Sequence, residues 1–410
     1  MGAARPRRAG SRAPVILGDR VLINLFCKLH SNLSAAGILL GARGIEGARL
    51  AKHFAWLDAV RGIAAIAVML FHFSLYLNVS PFFQSGYLAV DLFFLMSGFV
   101  LANAYEQKLL ESRMDFRQFL AARMIRLYPL YLLATLLGAA YYFSKVMMHT
   151  ADAPSLRDLA SLLALAVFFL ASPSFLVESP SGVFPFVTSA WSLSTEVFIS
   201  IAYGAILFRL KSLHLLGVGL LAGAILIFFV FSYQSFDLGW QWSSFGPGFL
   251  RTICFFASGV VLYRAAKTRL SSAKWSTLLL LFLVTASLIC IPENSVWLSG
   301  VAVFCIYPLF VFFNPSQAPR PVTAMICREL GRLSYPLYLL HPPILLWSAG
   351  AYKLLLHRDP LIEGSVFGWC MVVTTIALSY GVAIWFDEPV RKYLSSSVRN
   401  RGSEVVLQPA

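Results

Sequence analysis

Apolar residues in this chain gather into long runs separated by short basic segments, without the alternation of a half-buried strand or the one-sided stripe of a soluble helix. A helix that crosses a bilayer needs about 20 mostly apolar residues. Ten runs reach that length, beginning near Leu57, Gly86, Met124, Trp191, Leu213, Pro247, Trp275, Val296, Leu333 and Phe367. An eleventh, "LASLLALAVFFLASPSFLV" over 159–177, is broken by Ser172, Pro173 and Ser174 after little more than half a span.

Charge settles how that broken run is read. If it crosses, the segments holding Arg209 and Lys211, and then Arg264, Lys267, Arg269 and Lys274, face outward while the basic N-terminus faces inward. If it does not, they share the cytoplasmic face with "KLLESRMDFRQFLAARMIR", the loop 320–332 and the tail bearing Arg391, Lys392 and Arg399, as the positive-inside rule expects. The expected fold is therefore an all-α, polytopic membrane protein of about ten transmembrane helices. The segment 159–177 is re-entrant or interfacial on the outer side, and both termini are cytoplasmic.

Composition agrees: 58% of the residues are hydrophobic and only 13% charged, which excludes an ordinary soluble domain. The net charge of +14 reads as membrane orientation rather than nucleic-acid binding, because the basic residues sit between apolar runs. Residues 1–52 read as a basic, disordered extension, 53–394 as the membrane domain and 395–410 as a short cytoplasmic tail. A signal peptide fits residues 1–52 poorly, Pro6 argues against myristoylation, and a start codon assigned too far upstream also accounts for them. The six cysteines form no CxxC or zinc-like spacing and are expected as free, membrane-buried thiols. No Walker, dinucleotide-binding, HExxH or GxSxG motif is present, so any chemistry falls to histidines, carboxylates and arginines.

Several ionisable residues lie within the apolar runs, where they are functional candidates by default. Arg61 and His72 in "VRGIAAIAVMLFHF" are eleven residues apart, about three helical turns and ~16 Å of rise, and so share a face. A local ion pair with Asp58 accounts for Arg61 as well, and a bond to a neighbouring helix accounts for His72. Asp91 is placed to meet His72 across a helix pair, or to stand neutral and hydrated. Ser97 and Gly98 offer a small surface to a ligand or to another helix. Arg123 and Arg126 share a face at a membrane entry, where arginine forks suit phosphate as well as lipid headgroups. Glu196, in "WSLSTEVFIS", either complements its helix dipole or stands as a second carboxylate beside His72, while Trp191 marks the interface. In "LGRLSYPLYLLHPPI", His341 precedes Pro342 and Pro343, which break helical bonding and suggest a polar cavity. Glu388 and Arg391 in "FDEPVRKYL" read as an ion pair closing the last helix.

Taken in order, "LDAVRGIAAIAVMLFHF", "GYLAVDLFFLMSGFVLANAYE", "RQFLAARMIRLYPLY", "WSLSTEVFIS", "LGRLSYPLYLLHPPI" and "FDEP" resemble the signature series of the acyltransferase-three family of integral membrane O-acyltransferases, over about 56–394. The resemblance implies a ten-helix domain that uses acetyl-CoA or another acyl-CoA to acylate hydroxyls, usually of cell-surface glycans or their lipid-linked precursors, in a bacterial inner membrane. It implies that Arg61 and His72 are the catalytic Arg-x10-His pair, that Arg123 and Arg126 bind acyl-CoA, and that Ser97, Gly98 and Phe99 form the Ser-Gly-Phe motif. Two departures stand out: Val197 replaces a second acidic residue, and no esterase-like extracellular domain follows Leu394.

In the expected mechanism His72 is the general base, Asp91 or Glu196 orients its ring, and Arg61 holds the donor or stabilises oxyanion charge. Trp191, Tyr335 and His341 contact substrate. The partners expected are a glycan or lipid-linked glycan acceptor and membrane lipids, with no metal and no nucleic acid. The rival class is a transporter or flippase of lipid-linked saccharides, which also wants polar residues at mid-membrane. It predicts an inverted repeat, and the first five spans do not echo the last five.

Overall fold

The computed structural model describes residues 54–405 apart from 78, 80–81, 177–181, 267–273, 293–294, 314–319 and 359–364, so the extension expected over 1–52 lies outside the described residues. Among the described residues the protein is helical throughout, with no strand.

The helices are α1 (Ala55–Leu77), α2 (Gly86–Leu110), α3 (Phe116–Met147), α4 (Leu156–Val167), α5 (Ala190–Ala205), α6 (Ser212–Tyr233), α7 (Trp242–Ala266), α8 (Lys274–Cys290), α9 (Val296–Phe313) and α10 (Pro321–Leu356). The last, α11, runs from Ser365–Val382 through a π-helical turn at Ala383–Asp387 into Glu388–Val405. Similar π turns interrupt α2 at Ala102–Glu106 and α9 at Ala302–Ile306. Among the described residues, seven helical segments are long and apolar enough to cross a membrane. They are α1, α2, α3, α6, α7, α9 and Val366–Val398 of α11.

Helix starts follow local chemistry. Asp115 and Gln118 form a reciprocal capping box at the head of α3, and Ser155 caps α4; each satisfies backbone N–H groups that the first turn leaves without partners. Pro321 sits at the start of α10, where its missing N–H costs nothing. The segment 320–332, expected as a loop, is therefore the opening of α10, and α3 likewise begins before Met124. Polar residues extend these helices beyond their apolar runs, and a reading based on hydropathy alone misses them.

Contacts fix the relative directions of the helices. α1 and α10 run parallel, since Gly62 meets Leu330 and, farther along both, His72 meets His341. A Cβ on Gly62 would stand 2.6 Å from the Leu330 carbonyl oxygen, so only glycine permits this approach. α2 and α7 are also parallel, joined by Asp91 with Arg251 at one end and Glu106 with Arg264 at the other.

The C-terminal end of α5 reaches the same end of the bundle, where Tyr203 donates to Glu106 at 3.0 Å. α3 starts at that end and α5 finishes there, so the segment joining them begins and ends at the opposite face. α4, with 12 residues and about 18 Å of rise, is too short for a ~30 Å hydrocarbon core. It therefore lies on that face without crossing. The start of α10 and the π turn of α11 meet at the Glu106 end through Arg332 and Glu388. That end also holds Arg113, Arg123, Arg264 and Arg391, and we call it the basic face.

Candidate active site

A cavity of about 150 Å³ opens among α1, α2, α3, α5 and α10. Its polar wall comprises Arg61, Ser97, Tyr105, Arg123, Arg126, Ser192, Glu196, Ser334, Tyr335 and Tyr338, and apolar residues including Phe93, Phe94, Val100 and Leu127 line the rest. The π turn of α2 carries Tyr105 and Ala104 to its edge.

Arg123 donates to Glu196 Oε1 at 2.8 Å, and Ser97 donates to the same oxygen at 2.7 Å. The Arg123 Nε is buried with no partner. Neither Arg61 nor Arg126 has a salt-bridge partner among the described residues. Arg126 instead senses the positive charges of Arg61, Arg123 and Arg391, with Asp387 as its acidic neighbour. Three guanidinium groups thus face one space whose wall offers a single carboxylate. The alternative of a local ion pair between Arg61 and Asp58 does not form; Asp58 packs on Gly331 of α10.

His72 and His341 lie toward the other face. His341 is fully buried, and its Nδ1 stands 2.9 Å from the Leu337 carbonyl. A carbonyl only accepts, so Nδ1 carries the hydrogen and, in the neutral ring, Nε2 carries the lone pair. The same reasoning applies to His72, whose Nδ1 is 2.9 Å from the Val68 carbonyl. His341 Nε2 lies 3.3 Å from that Nδ1 and shares its hydrogen. The lone pair of half-buried His72 is therefore on Nε2, which bonds no described residue. Tyr338, one turn before His341, packs edge-on to it at 6.1 Å between ring centroids and also lines the cavity.

The two prolines after His341 shape this region: Pro342 cannot donate to the Tyr338 carbonyl, and Ser189, just before α5, donates to it at 2.9 Å instead. The Tyr338 hydroxyl in turn bonds Ser192 at 2.6 Å.

Several expectations are corrected. Asp91 does not reach His72: it forms a fork with Arg251, Nε to Oδ1 at 2.8 Å and Nη2 to Oδ2 at 2.9 Å, both side chains fully buried. Glu196 does not orient His72 either, since Arg123 and Ser97 hold it. Trp191, expected to contact substrate, is buried and stands outside the cavity, its ring 5.5 Å from the Arg251 guanidinium. Gly98 serves packing: a Cβ there would come 2.1 Å from the Phe256 carbonyl oxygen of α7. His341 is sealed against His72 rather than open to a substrate. Glu388 pairs with Arg332 at 2.6 Å, and Arg391 with Asp387 at 2.8 Å, in place of the expected Glu388–Arg391 pair. Tyr335 does line the cavity, donating to the Leu127 carbonyl at 2.5 Å.

Sequence reading missed Arg251, Tyr338 and Asp387. Arg251 carried a signal, as a lone charge inside an apolar run. Asp387 carried a weaker one, since the π turn that buries it is not written in hydropathy. One of its oxygens, Oδ1, is buried without a partner.

Fold and site together define a multi-pass helical membrane protein with a cationic cavity within the bundle. The sequence profile of the acyltransferase-three family, an acyltransferase domain, matches residues 54–384, and the chain belongs to that family. It is 38% identical over 162 residues to protein 2 of the picA locus of Rhizobium radiobacter, covering 37% of this chain and 81% of the relative. It is 26% identical over 298 residues to the proposed acetyltransferase ORF330 of Acidianus two-tailed virus, covering 69% of this chain and 80% of the relative. No solved structure matches it. The protein is thus an acyl-transferring membrane enzyme.

Proposed function

We propose that this enzyme transfers an acyl group, most simply acetyl, from cytoplasmic acyl-CoA to a hydroxyl of a cell-surface or exported glycan or its lipid-linked precursor. The reading makes it an acyltransferase of groups other than aminoacyl groups, acting in a bacterial inner membrane. It rests on one observation above all: Arg61, Arg123 and Arg126 face a common cavity near the basic face whose wall holds one carboxylate, Glu196, with Asp387 beside Arg126. Such an excess of guanidinium is costly in a bilayer unless an anion completes it. Phosphate is the natural complement of planar, multidentate arginine. The acetyltransferase name of the viral relative supports acetyl as the group carried.

The basic face is cytoplasmic in this reading, by the positive-inside rule. α5, α8 and α10 then join the seven long apolar segments as spans, making ten with both ends inside. The CoA phosphates rest on Arg123 and Arg126, and the pantetheine arm runs through the cavity toward Tyr338. The thioester then comes within reach of His72, whose Nε2 lone pair takes the proton of the attacking hydroxyl. Arg61 steadies the donor.

Calorimetric titration of the purified protein with acetyl-CoA tests the donor site. Arg126→Gln removes a charge-assisted contact worth roughly 1.5–3 kcal/mol without stranding a salt-bridge partner. Affinity should fall about ten- to a hundredfold; unchanged affinity would remove the phosphate assignment.

A further inference from the structure

Acyl-transfer sites that use a histidine base commonly place a carboxylate behind the ring, where it fixes the tautomer and stabilises the imidazolium that forms. Here both nearby carboxylates are committed elsewhere: Asp91 is saturated by Arg251, and Glu196 is held by Arg123 and Ser97. Two acceptors stand behind His72: the Val68 carbonyl of its own helix, 2.9 Å from Nδ1, and another histidine that shares the same hydrogen. His341 sits 5.0 Å away between ring centroids, with its Nε2 3.3 Å from His72 Nδ1. Its own Nδ1–H is committed to the Leu337 carbonyl, so the nitrogen facing His72 can only accept. Full burial, the edge-on Tyr338 ring and the proline step that follows hold it in that orientation.

We propose that His341 is the positioning residue of His72, a neutral imidazole standing where a carboxylate would otherwise be. The inference rests on the reading of His72 as the base. As the acceptor oxygen attacks the thioester carbonyl, its proton passes to His72 Nε2. The new C–O bond forms, the C–S bond breaks, and the thiolate sulfur takes the proton from Nε2, leaving ester, CoA thiol and a neutral ring. While His72 is an imidazolium both its nitrogens are donors, and the Nδ1–H bond to His341 becomes charge-assisted and stronger. A neutral acceptor provides this without adding a fixed charge to the bundle interior, where an isolated carboxylate is costly.

Nitrogen-15 histidine spectra of the full-length protein, with the His72 signal identified by its loss in His72→Gln, test the pairing without need of an acceptor. His72 should show a protonated Nδ1 and a bare Nε2, with the Nδ1 signal moving in His341→Leu and returning in His341→Gln, whose amide oxygen also accepts. In membranes containing the protein, transfer of labelled acetyl from acetyl-CoA into glycan should follow the same order. His341→Leu should lower kcat about ten- to a hundredfold, as for a hydrogen bond to a charged group, with KM for acetyl-CoA within about twofold, and His341→Gln should recover most of the rate. A His72 spectrum indifferent to His341, or wild-type kcat in His341→Leu, would overturn the proposal. Full activity in His72→Ala would instead overturn the base reading beneath it, so the two failures are told apart.

Discussion

At the scale of single residues, the Asp91–Arg251 pair shows what a membrane-buried charge requires. Arg251 gives two hydrogen bonds to the carboxylate and one, at 2.6 Å, to the Leu238 carbonyl, with the Trp191 ring beside it. Coulomb attraction alone does not repay desolvation of both ions; the full set of partners is what makes the pair tolerable. Asp91→Asn should therefore destabilise the protein by about 3–5 kcal/mol, because it leaves an uncompensated guanidinium. The double variant Asp91→Leu with Arg251→Met should cost distinctly less. Thermal unfolding in detergent reads both, and equal losses would show that the pair contributes no more than its packing. By contrast Glu196, which also holds an arginine, faces the cavity. Glu196→Gln should leave stability nearly unchanged and alter acetyl-CoA affinity, read by the same titration as for Arg126.

At the scale of helices, close backbone approach organises the bundle. Gly98→Val would drive its Cβ into the Phe256 carbonyl, separating α2 from α7 and lowering the yield of folded protein. Gly217→Ala, in α6 with nothing within 4 Å of its Cβ, should instead be stabilising by up to about 1 kcal/mol, the helix propensity difference. Yield and melting temperature of the two variants separate packing from propensity. Most helices were legible in the sequence because a bilayer demands uninterrupted apolar length, and that demand is written directly in composition. The polar first turns of α3 and α10 were not, since the Asp115 cap and the Pro321 start extend these helices beyond the apolar run. The arginines of the cavity were visible as charges at membrane depth. The partner of each ionisable residue was not: Asp91 and Glu196 each read as a candidate neighbour of His72, and three-dimensional packing gives Asp91 to Arg251, Glu196 to Arg123 and His72 to His341. Spacing along one helix fixes a face, but it does not choose which of several facing helices supplies the neighbour.

At the scale of the whole molecule, the basic face and the His72–His341 pair lie at different depths of one bundle, and Tyr338 both lines the cavity and packs against His341. In the proposed function, donor and acceptor approach from opposite sides of the membrane and meet within it. Single cysteines in a cysteine-free background test the orientation. Arg328→Cys should react with an impermeant maleimide only from the cytoplasmic side and Asp152→Cys only from the outer side, and the reverse pattern would invert the proposed direction of transfer.

The most direct measurement is the rate of acyl transfer from labelled acetyl-CoA by purified His72→Ala in proteoliposomes carrying the glycan acceptor, set beside its acetyl-CoA affinity. With His72 as the base, the loss is about a hundredfold or more, the scale of general-base catalysis, with donor affinity unchanged. Transfer at the wild-type rate would contradict that role.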